Sequence, residues 1–211
     1  MTAPLLRVRD LFKIYHPSSG LGGLHAVDGI SFDVAAGETL GIVGESGCGK
    51  STLAKCLARL VEPTKGTIEF QGEDFLALPP EPLRKARRHM QFVFQDPYAS
   101  LNPRMTVEQI ICETWVVFPD LVPKKQWLAR AAELMEMVSL NASDLGRYPH
   151  QFSGGQRQRI GIARALASSP KLLICDEAVS ALDVSVQAQV INLLMDLQQD
   201  LGLTYLFIAH D

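Results

Sequence analysis

The sequence predicts an α/β fold with a mostly parallel core sheet, an antiparallel β region near its start and a helical segment inserted between core strands. Three observations predict it. Short apolar runs at Thr39–Val43, 171–175 and Thr204–Ala209 alternate with stretches of helical spacing, the order that yields a parallel sheet with crossover helices. A glycine-rich turn at 44–49 joins the first of these runs directly to a helical stretch. Residues 5–15 and 24–34 instead alternate loosely between apolar and polar, which is the period of half-buried strands.

Each element follows in order. A break rich in proline, serine and glycine (Pro17, Ser18, Ser19, Gly20, Gly22, Gly23) separates the first two strands, so they are expected to pair antiparallel. Thr39–Val43, short and bounded by glycine, is expected to be buried on both faces. The helix after it carries Leu53, Leu57, Leu60 and Val61 and is expected to run until Pro63 stops it. Residues 66–70 alternate again, with Ile68 and Phe70 on one face, and 91–94 is another short strand. From 97 to 152 the pattern is helical: Trp127, Leu128, Ala131, Leu134, Met135 and Val138 recur at three- to four-residue steps and read as core packing. Residues 153–168 form a second long helix, 171–175 a buried strand, 184–200 a helix closed by Gly202, and Thr204–Ala209 a last strand.

The 211 residues, 47% hydrophobic and 20% charged, suit one globular domain and exclude disorder. A formal net charge of -3 excludes a sequence-wide basic field for nucleic acid or an anionic lipid surface. The basic run Arg84, Lys85, Arg87 and Arg88 is most simply a solvated helix face. Cys48, Cys56, Cys112 and Cys175 lie far apart, which signals neither a disulfide framework nor a zinc site, and His16, His25, His89 and His150 lack partners at ligand spacing. Every apolar run is far shorter than a bilayer span, and the opening MTAPLLRVRD lacks a secretory layout, so a cytosolic chain is expected.

The chemistry concentrates in a few segments. GESGCGKST, comprising Gly44, Glu45, Ser46, Gly47, Cys48, Gly49, Lys50, Ser51 and Thr52, matches G-x-x-x-x-G-K-S/T after a strand and at a helix start. There the backbone curls so that successive N–H groups face an anion, Lys50 brings a point charge to the outer phosphates, and Ser51 offers an oxygen to Mg²⁺. Cys48 reads as a turn residue whose backbone N–H matters, not as a reactive thiol. LLICDE ends an apolar strand in two carboxylates at the edge where parallel sheets place ligands: Asp176 to hold Mg²⁺, Glu177 to act as base on the attacking water. Phe152-Ser153-Gly154-Gly155-Gln156 opens another helix and makes a second anion-seeking terminus, which one chain cannot easily bring to the same nucleotide across a helical lobe.

GESGCGKST, FSGGQ, LLICDE, the Ser180-Ala-Leu-Asp183 that follows and the terminal His210 occur in the order of an ABC ATPase, spanning nearly the whole chain. The strings from Phe92 to Arg104, from Tyr148 to Arg159 and from Val179 to Gln189 resemble the ATP-binding subunits of bacterial oligopeptide and dipeptide importers. The resemblance implies a P-loop NTPase (RecA-like) core at 1–96 and 160–211, including the antiparallel β region, and a helical signature subdomain at 97–159, in one ABC ATPase domain. It implies ATP and Mg²⁺, the metal being held by Ser51, Gln95 and Asp176. Tyr15 would stack on adenine, Gln95 would meet the metal and water, and His210 would stand at the γ-phosphate switch. Two copies would pair head to tail, Ser153, Gly154, Gly155, Gln156 and Asp183 of one reaching the ATP on Lys50 of the other. The implied partners are a second ABC ATPase, identical or similar, integral membrane permease subunits and, through them, a periplasmic or extracellular solute-binding protein. No nucleic acid is expected, and the place would be the cytoplasmic face of the bacterial inner membrane, held peripherally.

Three departures stand out. FSGGQ replaces the usual LSGGQ, Ala178 stands where the family has proline, and the chain stops at Asp211, earlier than family members do, which reads as a missing C-terminal part. A soluble ABC protein acting on DNA or ribosomes is the alternative. It is disfavoured because only 102 residues separate Ser51 from Ser153, too few for long insertions, and a tandem second ATPase unit is absent.

Overall fold

Two four-stranded sheets organise the chain, whose computed structural model describes residues 3–16 and 23–209. The first sheet is antiparallel, with strands β1 (Leu6–Tyr15), β2 (Leu24–Val34), β4 (Lys65–Phe70) and β5 (Glu73–Asp74) in the order β2-β1-β4-β5. Residues 17–22, expected as the loop between β1 and β2, lie outside the described residues. The second sheet is parallel throughout its described strands: β3 (Thr39–Val43), β6 (Met90–Val93), β7 (Leu172–Asp176) and β8 (Thr204–Ala209), in the order β3-β8-β7-β6. Side-chain alternation along β7 and β8 makes this sheet a wall between two cores. Leu172, Ile174, Leu206 and Ile208 face α1 (Lys50–Leu57) and the antiparallel sheet. Leu173, Cys175 and Tyr205 face the helices of the other core.

Those helices are α4 (Val107–Val117), α5 (Trp127–Met137), α6 (Gly154–Leu166) and α7 (Val184–Leu201), with α2 (Pro80–Arg87) and the four-residue α3 (Pro97–Ser100) outside them. Trp115, fully buried on α4, donates its indole N–H to the Ala167 carbonyl at 2.8 Å and so ties α4 to the end of α6. Thr106 and Gln109 close a reciprocal capping box at the start of α4, and Ser153 and Gln156 do the same for α6. Burial pushes the Cys112 thiol up to about 11 and Cys175 to about 12, so both behave as small apolar side chains.

Four expectations need correction. Among the described strands β3 is an edge, hydrogen-bonded to β8 alone. Leu40 and Ile42 are half-buried against the core under α1, while the alternate positions Thr39, Gly41 and Val43 are exposed, Val43 at 67%. Helix α1 ends at Leu57 rather than running to Pro63. Arg59 turns left-handed (φ 53°) and donates to the Leu78 carbonyl at 2.8 Å, which leaves Leu60 exposed. On α5, Ala131, Leu134 and Met135 are buried, but Leu128 points outward. The basic run is a set of staples more than a solvated face: Arg84 donates to the Val117 carbonyl, Arg87 to the Arg59 carbonyl and Arg88 to Asp120.

Candidate functional site

The turn between β3 and α1 is set by a close approach. Gly49 sits at φ 98°, and a Cβ there would fall 1.8 Å from the Ala26 carbonyl oxygen of β2, so only glycine lets the antiparallel sheet press against the start of α1. Lys50, the first residue of α1, is 6% exposed, and its Nζ donates to the carbonyls of Gly44 (2.6 Å) and Glu45 (2.8 Å). The ammonium therefore stands at the centre of the turn. Cys48 is exposed, and its N–H closes the turn on the Glu45 carbonyl at 3.3 Å.

Opposite the turn, β7 delivers the paired acids. Ser51 donates its hydroxyl to Asp176 Oδ1 at 3.0 Å. Burial pushes the Asp176 carboxyl above its usual range; the Ser51 hydrogen bond opposes that rise, and the neighbouring Glu177 adds to it. Glu177 leaves the strand at a left-handed φ of 49°, a conformation that costs on the order of 1 kcal/mol. It is held there by its N–H on the Ile208 carbonyl (3.0 Å) and by Gln95, whose Nε2 donates to Glu177 Oε2 at 2.6 Å. Ala178 is buried in the helical core just behind it.

These groups meet in one cavity of about 360 Å³, lined by Ser46, Gly47, Gly49, Lys50, Ser51, Thr52, Gln95 and Glu177. Asp176 reaches it through Ser51, while Gly44, Glu45 and Cys48 frame the turn behind it. Tyr15 does not line the cavity; it ends β1, 41% exposed, with Lys13 Nζ 4.9 Å above its ring. Ser153, Gly154, Gly155 and Gln156 are also elsewhere, at the first turn of α6, as is Asp183 at the exposed start of α7. His210 lies outside the described residues. A larger cavity of about 1080 Å³ opens beside α2, but its Arg84, Lys85 and Arg88 face Glu73, Glu81 and Asp120, and no residue of the glycine-rich turn reaches it. The smaller cavity is the one that joins the lysine-bearing turn to Gln95 and Glu177.

Sequence reasoning missed Ser180. Its hydroxyl stands 3.3 Å from Gln95 Nε2 and donates to the Glu177 carbonyl at 3.0 Å, so it braces both. A serine three residues after the acid is a local signal for such a backbone contact. The donor set also bears on a metal. A hydroxyl and a carboxylate oxygen side by side are hard ligands, and so small a set suits Mg²⁺, which keeps waters and takes the rest from phosphates.

Residues 27–180 match the ABC transporter family. The chain belongs to that family. The oligopeptide transport ATP-binding protein AppF of Bacillus subtilis (strain 168) is 54% identical over 213 residues, covering 98% of this chain and 64% of AppF; the chain thus spans about two thirds of that relative. Among solved structures, the ATP-binding cassette MJ0796, in a dimeric post-hydrolysis state bound to ADP and Pi, superposes with a TM-score of 0.84 at 29% identity, over 98% of this chain and 88% of that one. So does cbiO1 of Clostridium perfringens, part of the ABC transporter complex cbiONQ, with a TM-score of 0.83 at 28% identity, over 100% and 80%. The two-sheet fold is therefore the P-loop NTPase fold of ABC cassettes.

Proposed function

We propose that this chain is the ATP-binding and ATP-hydrolysing subunit of an ABC importer for peptides or related small solutes. The observation that carries the reading is the single cavity joining the lysine-bearing turn to Gln95 and Glu177, with Ser51 and Asp176 at its edge. Lys50 Nζ, now donating to two carbonyls of the turn, gives one of those bonds to an outer phosphate oxygen. Ser51, Asp176 and Gln95 would hold Mg²⁺, which supplies charge neutralisation across the phosphates. Glu177, fixed by Gln95 and by its own N–H, accepts the proton of the attacking water, and His210 would contact the γ-phosphate. Tyr15 stacks on the adenine.

The capped start of α6 completes the site in trans. Ser153 and Gln156 satisfy each other, so the N–H groups of Gly154 and Gly155 precede the first helical hydrogen bonds and point along the helix axis. These residues lie outside the cavity of their own chain, which supports a head-to-tail pair in which they close over the partner's ATP, with Asp183 in the contact between copies. The dimeric state of the MJ0796 cassette, bound to ADP and Pi, supports a pairing of two copies. An apolar opening of about 380 Å³ lined by Leu60, Phe92, Phe94, Val117 and Phe118 borders the Gln95 segment and suits contact with permease subunits. Through them a solute-binding protein delivers cargo. No described helix is long and apolar enough to cross a membrane, in keeping with peripheral attachment at the cytoplasmic face of the inner membrane. AppF's role in oligopeptide transport favours import over action on DNA or ribosomes.

Titration with a fluorescent ATP analogue tests the reading. Lys50→Ala should weaken binding severely; an unchanged affinity would remove the phosphate role of the turn.

A further inference from the structure

Arg157, on the first turns of α6, is 6% exposed and forms no ion pair among the described residues. Its Nε donates to the Pro149 carbonyl at 2.7 Å, its Nη1 is buried without a hydrogen-bond partner, and its guanidinium carbon lies 3.7 Å from the centre of the Tyr98 ring. A cation so desolvated leans on the aromatic face more than an exposed one would. Tyr98 is itself 65% exposed, so its ring forms the lid between the guanidinium and water. It stands three residues after Gln95.

Two more side chains of α6 fasten the same segment. Gln158, 2% exposed, donates to the Phe94 carbonyl at 3.3 Å, and Arg164 donates to the Ser100 carbonyl at 2.6 Å. The backbone on both sides of Gln95 is thus anchored to one helix, whose first turn is the Ser153 cap. Gln95 in turn meets Glu177 at 2.6 Å.

The geometry points to Tyr98 and Arg157 as positioning residues: their ring–cation contact sets where Gln95 stands against Glu177 and ties that position to the serine-capped end of α6. Neither lines the cavity. The inference rests on the ATPase reading above and names two residues through which it is tuned. Because the anchors run from Phe94 to Ser100, a displacement of α6 carries the Gln95 amide with it. The working group on Tyr98 is the ring, since its hydroxyl makes no hydrogen bond among the described residues.

Tyr98→Leu and Tyr98→Phe separate this role from a structural one. Tyr98 is exposed, and α3 keeps its Asp96 cap, so both variants should fold and keep their affinity for a fluorescent ATP analogue, Tyr98→Phe at the parent melting temperature and Tyr98→Leu a few degrees below it as the ring–cation contact is lost. Tyr98→Leu should lower kcat about 10- to 100-fold, the scale of a misplacement of about 1 Å, with KM little changed, while Tyr98→Phe stays near the parent. A parent-like kcat for Tyr98→Leu overturns the proposal, as does a matching loss in Tyr98→Phe or a loss of nucleotide affinity together with stability. If the parent chain itself neither binds nor hydrolyses ATP, the functional reading fails instead, and hydrogen exchange on the nucleotide-free chain still decides the link. Tyr98→Leu should then speed exchange at 95–100 and also at 153–158; acceleration confined to 95–100 would refute the tie to α6.

Discussion

The two glycines at the head of α6 look interchangeable in sequence and are not in the structure. A Cβ built on Gly155 would come within 2.4 Å of Val186 Cγ1 on α7, whereas one on Gly154 would meet Leu182 Cδ2 at 3.5 Å, an ordinary contact. Val186 is β-branched and stiff at χ1, so it cannot swing aside freely. Overpacking of this kind costs about 1–3 kcal/mol, and replacing glycine by alanine in a helix returns about 0.4–1 kcal/mol. Gly155→Ala should therefore lose a net 1–2 kcal/mol or so, and Gly154→Ala should be neutral or slightly stabilising. For a chain of this size that difference is roughly 2–8 °C in Tm. Thermal unfolding by circular dichroism measures it, and the pair Gly155→Ala with Val186→Ala supplies the control, because removing Cγ1 should recover most of the loss. Equal shifts for the two glycine variants, or no recovery in the double variant, would refute the packing argument and return Gly155 to a purely phosphate-facing role.

Two further outcomes follow from the site. Glu177→Gln should keep ATP binding and lower turnover about 10²- to 10⁴-fold, the usual worth of a positioned base; steady-state hydrolysis at the parent rate would remove Glu177 from that role. Asp176→Asn should raise the Tm of the nucleotide-free chain at neutral pH while abolishing Mg²⁺-dependent nucleotide binding. The sign follows from the raised carboxyl: the folded chain holds this proton more tightly than the unfolded one, so stability present below the ordinary value of 3.8 is lost as pH rises through the folded pKa. The gain from asparagine must therefore shrink as the pH approaches 3.8, and a gain that grows on acidification would contradict the burial argument.

Much of this was legible in the sequence because the chemistry is local. Lys50 and Ser51 follow their glycines directly, Asp176 and Glu177 end an apolar run, and the strands at Leu24–Val34, Thr39–Val43 and Thr204–Ala209 stand where their patterns place them. What periodicity could not supply was position in a sheet or on a surface. Val43 reads as core, yet its strand is an edge among the described strands, and sheet order is decided by partners far away along the chain, as in the pairing of Val43 with Ala209. The early end of α1 hangs on Arg59 reaching Leu78, and the basic run became staples because the carbonyls of Val117 and Arg59 happen to lie beside α2. Ser180 carried a local signal for its contact with the Glu177 carbonyl but none for Gln95, and the Tyr98–Arg157 contact was invisible, since it exists only when the Gln95 segment lies on α6.

Mixing two inactive variants tests the shared site most directly. In a head-to-tail pair, a Lys50→Ala copy beside a Ser153→Arg copy leaves one composite site intact, with its lysine from one copy and its serine cap from the other. The mixture should then hydrolyse ATP when neither variant does so alone. If the mixture stays as inactive as its components while mixed dimers form, the two halves of the site act within a single chain and the account of a nucleotide held between copies is wrong.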